Sequence, residues 1–227
     1  MNSDPADTPT TPGGAASATG SPASLLLSGA RIAHYRLDER LGAGGMGEVF
    51  RARDMALDRP AAIKVIRAGF DPTLTKRLLR EVDACARLQH RGIATFFEGG
   101  EDNGRAYVAM ELVDGTTLRR KLEDGPIPAA EALVIAAGLL EALAHAHLAG
   151  LLHRDLKPEN VILTRAGAPK LLDFGLARRL TESDVDENDT ALDVTTMTVL
   201  TQHGSIPATP GYMSPEQLRG EVLGPAS

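Results

Sequence analysis

Tryptophan is absent from the 227-residue sequence, cysteine occurs once, and aromatics make up only 4%. With so few rings, any core has to be built from Leu, Val, Ile and Ala, and the apolar share of 43% is ample for that. The lone Cys85 excludes an internal disulfide and suits a reducing compartment, so a cytoplasmic location is expected. Long apolar runs are missing too. Without a stretch of about 18 such residues, no membrane-spanning segment is expected. Leu25-Leu26-Leu27 is too short for a signal peptide and has no basic stretch before it. Positive charge is in deficit, with 24 Lys and Arg against 30 Asp and Glu. Phosphate backbones are held by clustered basic residues, so a nucleic-acid partner is not expected. The length allows one domain, or one and a fraction.

Residues 1–30 are rich in Pro, Thr, Ser, Ala and Gly and read as a disordered tail. Tyr35 to Leu41 alternates apolar and polar, as a strand does. Gly42-Ala43-Gly44-Gly45-Met46-Gly47 follows. A G-x-G-x-x-G of the Rossmann kind needs a helix directly after it. Here Glu48 to Arg53 reads as a second strand, with a turn at Asp58-Arg59-Pro60. The glycines therefore read as a hairpin whose backbone can approach phosphate oxygens closely. Ala61 to Ile66 is a third strand, and its Lys64 either points to water from a sheet edge or grips a phosphate. A helix follows, with Asp71 as N-cap, Pro72 at its first position and an apolar stripe of Leu78, Val82, Cys85 and Leu88. Glu81 sits beside that stripe, and Cys85 reads as core packing rather than a reactive thiol.

Ile93 to Phe97 and Ala106 to Met110 read as two strands joined by a polar turn, Glu101 to Arg105. Leu118 to Leu122 is a short helix closed at Gly125. Pro128 to Ala149 is the longest helix, with Leu133, Ala137, Leu140 and Ala144 on one stripe and Gly150 as its stop. His145 and His147 near its end read as packing or cap-side residues, not metal ligands. Val161-Ile162-Leu163 and Lys170-Leu171-Leu172 are short strands flanking Gly167.

The chemistry concentrates in His153-Arg154-Asp155-Leu156-Lys157-Pro158-Glu159-Asn160 and in Asp173-Phe174-Gly175. A carboxylate five residues before an asparagine, with a second carboxylate delivered by a hairpin, can place one base and two magnesium ligands around a triphosphate. Magnesium takes one or two oxygen ligands from protein and the rest from phosphates and water. Asn160 and Asp173 are the candidates for those ligands, and Asp155 is then free to face an incoming hydroxyl. The octet resembles the catalytic loop of protein kinases, and Asp173-Phe174-Gly175 resembles their metal-binding motif. Ala208-Thr209-Pro210-Gly211-Tyr212-Met213-Ser214-Pro215-Glu216 resembles the family's substrate-facing segment with its A-P-E triplet, Ser214 replacing the usual alanine. Lys157, two residues after Asp155, is similar to the serine/threonine class, and the chain as a whole looks like a bacterial, eukaryotic-like kinase.

That resemblance runs from residue 35 to about 220 and implies a two-lobed α+β fold. Residues 31–110 would form an N-lobe of antiparallel sheet plus one helix, 111–115 a hinge, and 116–227 a mainly helical C-lobe. It implies in-line phosphoryl transfer from ATP with Mg2+ to Ser or Thr hydroxyls of proteins. Asp155 would orient the hydroxyl, Lys157 neutralise the transferring group, and Thr209 bridge the catalytic loop and the substrate-facing segment. Lys64, held by Glu81, would grip the nucleotide phosphates. Leu41, Gly42, Gly44, Gly47, Val49, Ala62, Met110, Glu111, Val113 and Ile162 would line the nucleotide site. Arg154 suggests control by a phosphorylated activation segment, where Thr195, Thr196, Thr198 and Thr201 follow the acids Glu182, Asp184, Asp186, Glu187, Asp189 and Asp193. A homodimer would serve autophosphorylation in trans. The resemblance also implies further C-lobe helices beyond these residues, including an arginine partner for Glu216. The other reading is a non-catalytic remnant that binds nucleotide or a partner kinase.

Overall fold

The computed structural model describes residues 29–44, 47–67, 72–174, 210–219, 221 and 223–225. The expectations for residues 1–28 of the tail, Asp71, Gly175, the acids and threonines of 182–201, and Thr209 fall outside those residues, whereas Gly29 and Ala30, expected in the tail, hydrogen-bond through their backbones to Leu37.

The N-terminal lobe is one antiparallel sheet with a helix on one face. Its elements are β1 (Arg31–Ile32), β2 (Tyr35–Gly44), β3 (Gly47–Asp54), β4 (Arg59–Ile66), α1 (Pro72–Cys85), β5 (Phe96–Asp102) and β6 (Arg105–Met110). The strands lie in the order β1-β2-β3-β4-β6-β5. β4 is therefore interior, and its side chains alternate between two cores. Ala61, Ile63 and Val65 join Tyr35, Leu37, Phe50 and Tyr107 on one face. Ala62 and Ile66 join Leu78, Val82, Cys85, Phe96 and Val108 on the other, under α1. The predicted α1 stripe of Leu78, Val82, Cys85 and Leu88 is buried as expected.

Two turns differ from their expected positions. The first reverses at 55–58, and β4 has already begun at Arg59. The buried Asp54 sets it: its Oδ1 accepts the Ala56 and Leu57 N–H groups at 3.0 Å each, and Arg59 Nε reaches its Oδ2 at 3.1 Å. Between β5 and β6 the turn is only Asn103-Gly104, with φ of 50° and 73°. Positive φ at both central residues matches the right-handed strand twist, so the ladder continues to Asp102 and Arg105. Ile93 is not in that hairpin; it forms an isolated parallel bridge to Leu171 in the other lobe.

The C-terminal lobe begins after residues 111–114. It comprises β7 (Gly115–Thr117), α2 (Leu118–Glu123), α3 (Ala129–Leu148), β8 (Val161–Thr164), β9 (Pro169–Leu171) and α4 (Pro215–Arg219). Thr117 caps α2 by accepting the Arg120 N–H. Gly115 is demanded by close approach, since a Cβ there would lie 2.1 Å from Leu163 O.

α3 turns its face the other way from expectation. Ile135, Ala142 and Ala146 are buried, whereas Leu133 is 71% and Leu140 65% exposed. The helix is apolar nearly all round, so its periodicity does not say which side faces the strands. By length and composition α3 could also cross a membrane, against the expectation that no segment could. That is weak ground, because α3 packs on β9 so closely that a Cβ at Gly138 would lie 2.7 Å from Pro169 Cγ.

Candidate active site

Alternation on β4 puts Lys64 on the same face as Ala62 and Ile66, with its side chain 12% exposed. It is not an edge lysine, because β3 and β6 flank its strand. Its Nζ donates to Asp173 Oδ2 at 2.7 Å. This contact takes the place of the expected Lys64–Glu81 pair. Asp173, at a φ of 49°, turns its carboxylate toward β4, and one ammonium among carboxylates settles on the one presented to it. Glu81 is half-buried on α1, one turn before Cys85. Burial, helped by Glu81, pushes the Cys85 thiol up to about 12, which keeps it inert.

The loop after α3 forms the second half of the site. The Asp155 carboxylate is held by two donors, and its own backbone N–H donates in a third bond. Lys157 Nζ lies 2.7 Å from its Oδ2, Asn160 Nδ2 donates to the same oxygen at 2.9 Å, and Asp155 N–H reaches His153 O at 2.8 Å. Asn160 Nδ2 also reaches Asp155 O at 2.8 Å, which closes the loop on itself. Each of the two key carboxylates is thus paired with one lysine. Arg154 and Asp173 both adopt left-handed φ, 60° and 49°. Such strain in non-glycine residues persists only where surroundings over-determine it.

His153 supplies those surroundings. It is buried, its Nε2–H donates to Leu172 O at 2.8 Å, and its ring lies 4.9 Å from that of Phe174. Burial pulls its pKa below the ordinary histidine value of 6.5, so it is neutral with Nδ1 facing the Asp155 N–H. Leu172 N–H in turn donates to Asn160 O at 2.8 Å. The segments carrying Asp155, Asn160 and Asp173 are thereby locked together.

At the junction of the lobes, Met110 is buried in the same cluster as Ala62, and Val49 packs against it. Glu111 N–H donates to Thr95 O at 2.8 Å, so only its carbonyl is left for a ligand edge. Val113 and Ile162 are half-buried, while Leu41, Gly42 and Gly44 at the rim of the glycine hairpin are exposed. Gly42 and Gly44 have no atom within 4 Å of an added Cβ, but at Gly47 it would lie 1.9 Å from Val65 O. Gly47 is therefore required for the hairpin to lie on β4. His145 stacks on His90, and among the described residues no group of three or more His, Cys, Asp or Glu could hold a metal.

Three features were not anticipated. The Glu111 carboxylate pairs with Lys170 and accepts the Thr95 N–H, tying the inter-lobe segment to β9. Ser214 and Gln217 cap α4 reciprocally, at 3.0 and 3.2 Å, and Gln217 Nε2 donates to Arg154 O at 2.8 Å. The Ser-x-x-Gln spacing was the available signal for that cap. Arg119 meets both Glu159 and Tyr212.

A family model described as a protein kinase domain matches residues 35–227. The chain belongs to the protein kinase family. Curated relatives of this kinase domain include a probable serine/threonine-protein kinase of Streptomyces coelicolor, 39% identical over 83% of the chain. The serine/threonine-protein kinase PknB of Mycolicibacterium smegmatis is 40% identical over the same share. The chain spans 27% and 29% of those two relatives' lengths. Among solved structures, the PknI kinase domain of Mycobacterium tuberculosis aligns with a TM-score of 0.67 at 30% identity, covering 88% of this chain and 71% of that one. The two-lobed α+β expectation is thus met by both the architecture and its structural neighbours.

Proposed function

We propose that this chain is the ATP-dependent catalytic portion of a serine/threonine protein kinase. The observation that carries the proposal is the arrangement around Asp155. A carboxylate steadied by Lys157 and Asn160 keeps its other oxygen for a substrate hydroxyl. Positioning and charge neutralisation, rather than covalent chemistry, carry phosphoryl transfer. Asp155 orients the Ser or Thr hydroxyl and accepts its proton. Lys157, already beside it, offsets negative charge on the group in transit. Lys64 grips the nucleotide phosphates, with Glu81 as a further orienting carboxylate. The glycine hairpin from Leu41 to Gly47 covers the phosphates, while Val49, Ala62, Met110 and Ile162 enclose the base and the Glu111 carbonyl and Val113 backbone pair with its edge.

The donor set suits magnesium. Asn160 spends its amide nitrogen on Asp155, leaving its oxygen, and Asp173 spends one oxygen on Lys64, leaving the other. Hard oxygen donors, two from protein, are what this ion takes. Bound there, Mg2+ would screen the phosphate charge. Thr209, the activation-segment threonines and autophosphorylation in trans by a homodimer belong to the same proposal, as do protein substrates and a cytoplasmic setting.

The test is autophosphorylation of the 227-residue chain with MgATP, read by intact and peptide mass. Phosphate is expected on the unsubstituted chain and not on Asp155→Asn or Lys64→Ala. Transfer should fall by about 10³-fold for Asp155→Asn, the scale of a lost general base. Soluble protein that binds ATP and gains no phosphate would point to a nucleotide-binding remnant instead.

A further inference from the structure

The loop carrying Asp155 and the segment 210–217 touch at two places. One is the bond from Gln217 to Arg154 O. The other is made by Arg119, on the first turn of α2. Its Nε donates to Glu159 Oε1 at 2.8 Å, its Nη2 donates to Tyr212 Oη at 3.0 Å, and its guanidinium carbon lies 5.9 Å from the Tyr212 ring centroid. Glu159 sits in the turn Pro158–Asn160, directly before the asparagine that steadies Asp155. Tyr212 sits in the turn Pro210–Tyr212, two residues before the Ser214 cap of α4. One planar cation thus joins three elements that are far apart in sequence. A guanidinium can serve two acceptors at once from a fixed fork, which an ammonium cannot do with the same geometry.

We infer that Arg119 is a positioning residue for the acceptor substrate. It clasps Tyr212 to Glu159, and so fixes the 210–217 segment against the catalytic loop at the mouth where a protein substrate presents its hydroxyl. Tyr212 is 45% exposed, so the clasp holds a surface rather than a core. Apart from Ile162 on β8, Lys64 and the nucleotide-lining residues lie on β2 to β6 and the inter-lobe segment, away from α2. The clasp therefore acts on acceptor binding and leaves nucleotide binding alone. This inference rests on the kinase reading above.

The experiment uses the 227-residue chain and three variants, Arg119→Ala, Arg119→Lys and Tyr212→Phe. Steady-state transfer from MgATP to a mixed Ser/Thr peptide pool is measured beside hydrogen exchange of residues 211–219. Arg119→Ala should raise the peptide KM roughly tenfold, the scale of a lost charged hydrogen bond, with kcat and the ATP KM within about twofold. Tyr212→Phe, which removes only the hydroxyl, should raise it about threefold, with Arg119→Lys falling between the two. Exchange in 211–219 should speed up in Arg119→Ala while β1 to β6 stay unchanged. Unaltered exchange, or a loss shared between kcat and the ATP KM, overturns the clasp. If the unsubstituted chain transfers no phosphate, the kinase reading fails, and the exchange comparison alone still decides whether Arg119 holds the segment.

Discussion

The two lobes close their cores differently. In the N-terminal lobe a six-stranded sheet is covered on both faces: α1 lies over one, and the curl of β1, β2 and β3 encloses Tyr35, Phe50, Ile63 and Tyr107 on the other. In the C-terminal lobe α3 covers β9 with one side only. Its far side shows Leu133 at 71%, Val134 at 66%, Leu140 at 65% and Leu148 at 90% exposure. An opening of about 350 Å³ lies between α3, the catalytic loop and the α4 segment, lined by Leu143, His147, Leu152, Leu156, Tyr212 and Leu223 among others. The same apolar residue type therefore carries different weight in the two lobes. Leu78 under α1 is sealed from water, whereas Leu133 and Leu140 on the far side of α3 face it.

Truncating a sealed residue should break this contrast most visibly. Leu78→Ala removes a side chain that is 1% exposed, between α1 and the sheet. A loss of about 3 kcal/mol is expected from transfer plus cavity terms. Tyr35 and Tyr107, both buried in the sheet lobe, report its unfolding in near-UV circular dichroism without a tryptophan to mask them. Asp54→Asn comes next, at about 2 kcal/mol. Burial alone would raise the pKa of Asp54, but the Leu57 and Ala56 N–H groups and Arg59 outweigh it and hold the carboxyl below its usual range. A neutral amide cannot pair with Arg59 and accept both N–H groups equally well. A urea midpoint equal to that of the unsubstituted chain would show that the turn is held by its backbone alone.

Much of this architecture is legible from residue order, for physical reasons that differ by element. The α1 stripe reads correctly because one face is apolar and the other charged. Lys64 reads as inward once β4 is known to be interior, since period-two alternation then leaves no freedom. The Asn103-Gly104 hairpin and the Ser214–Gln217 cap were also written in short-range signals, and a longer turn and a mere size match were read in their place. Other features are decided in three dimensions. Which carboxylate takes Lys64 depends on the turn before Phe174, and no spacing rule ranks Glu81 against Asp173. The pairing of Glu111 with Lys170 joins the inter-lobe segment to β9, and neither residue lies in a motif that names the other.

The loop after α3, in the C-terminal lobe, gives a pH-dependent test. His153 has a folded pKa below 6.5, caused first by burial. The unfolded chain therefore binds the proton more readily, and stability is fully present above about 6.5 and lost as pH falls through that value toward the folded pKa. One such group limits the slope to about 1.4 kcal/mol per pH unit. Stability should therefore fall between pH 7 and 5.5, read from the urea midpoint. His90 also has a lowered pKa, through burial first and then His145 and Arg91, so part of the slope belongs to that stacked pair. His153→Asn should flatten the curve and His90→Asn flatten it less. Equal curves for all three proteins would remove His153 as the acid-sensitive lock.

The smallest effect is the sharpest test of the contrast. Leu140→Ser removes an apolar side chain as large as Leu78 but 65% exposed. Exposed substitutions away from special features change stability by about 0.5 kcal/mol or less. The urea midpoint should therefore stay in place, and concentration-dependent self-association should fall, because contiguous exposed apolar surface drives it. A loss matching that of Leu78→Ala would mean that the outer side of α3 is covered in solution as fully as α1 is. The contrast between the lobes would then dissolve into two sealed cores. An unchanged midpoint with less association would establish that α3 carries its lobe on one face alone.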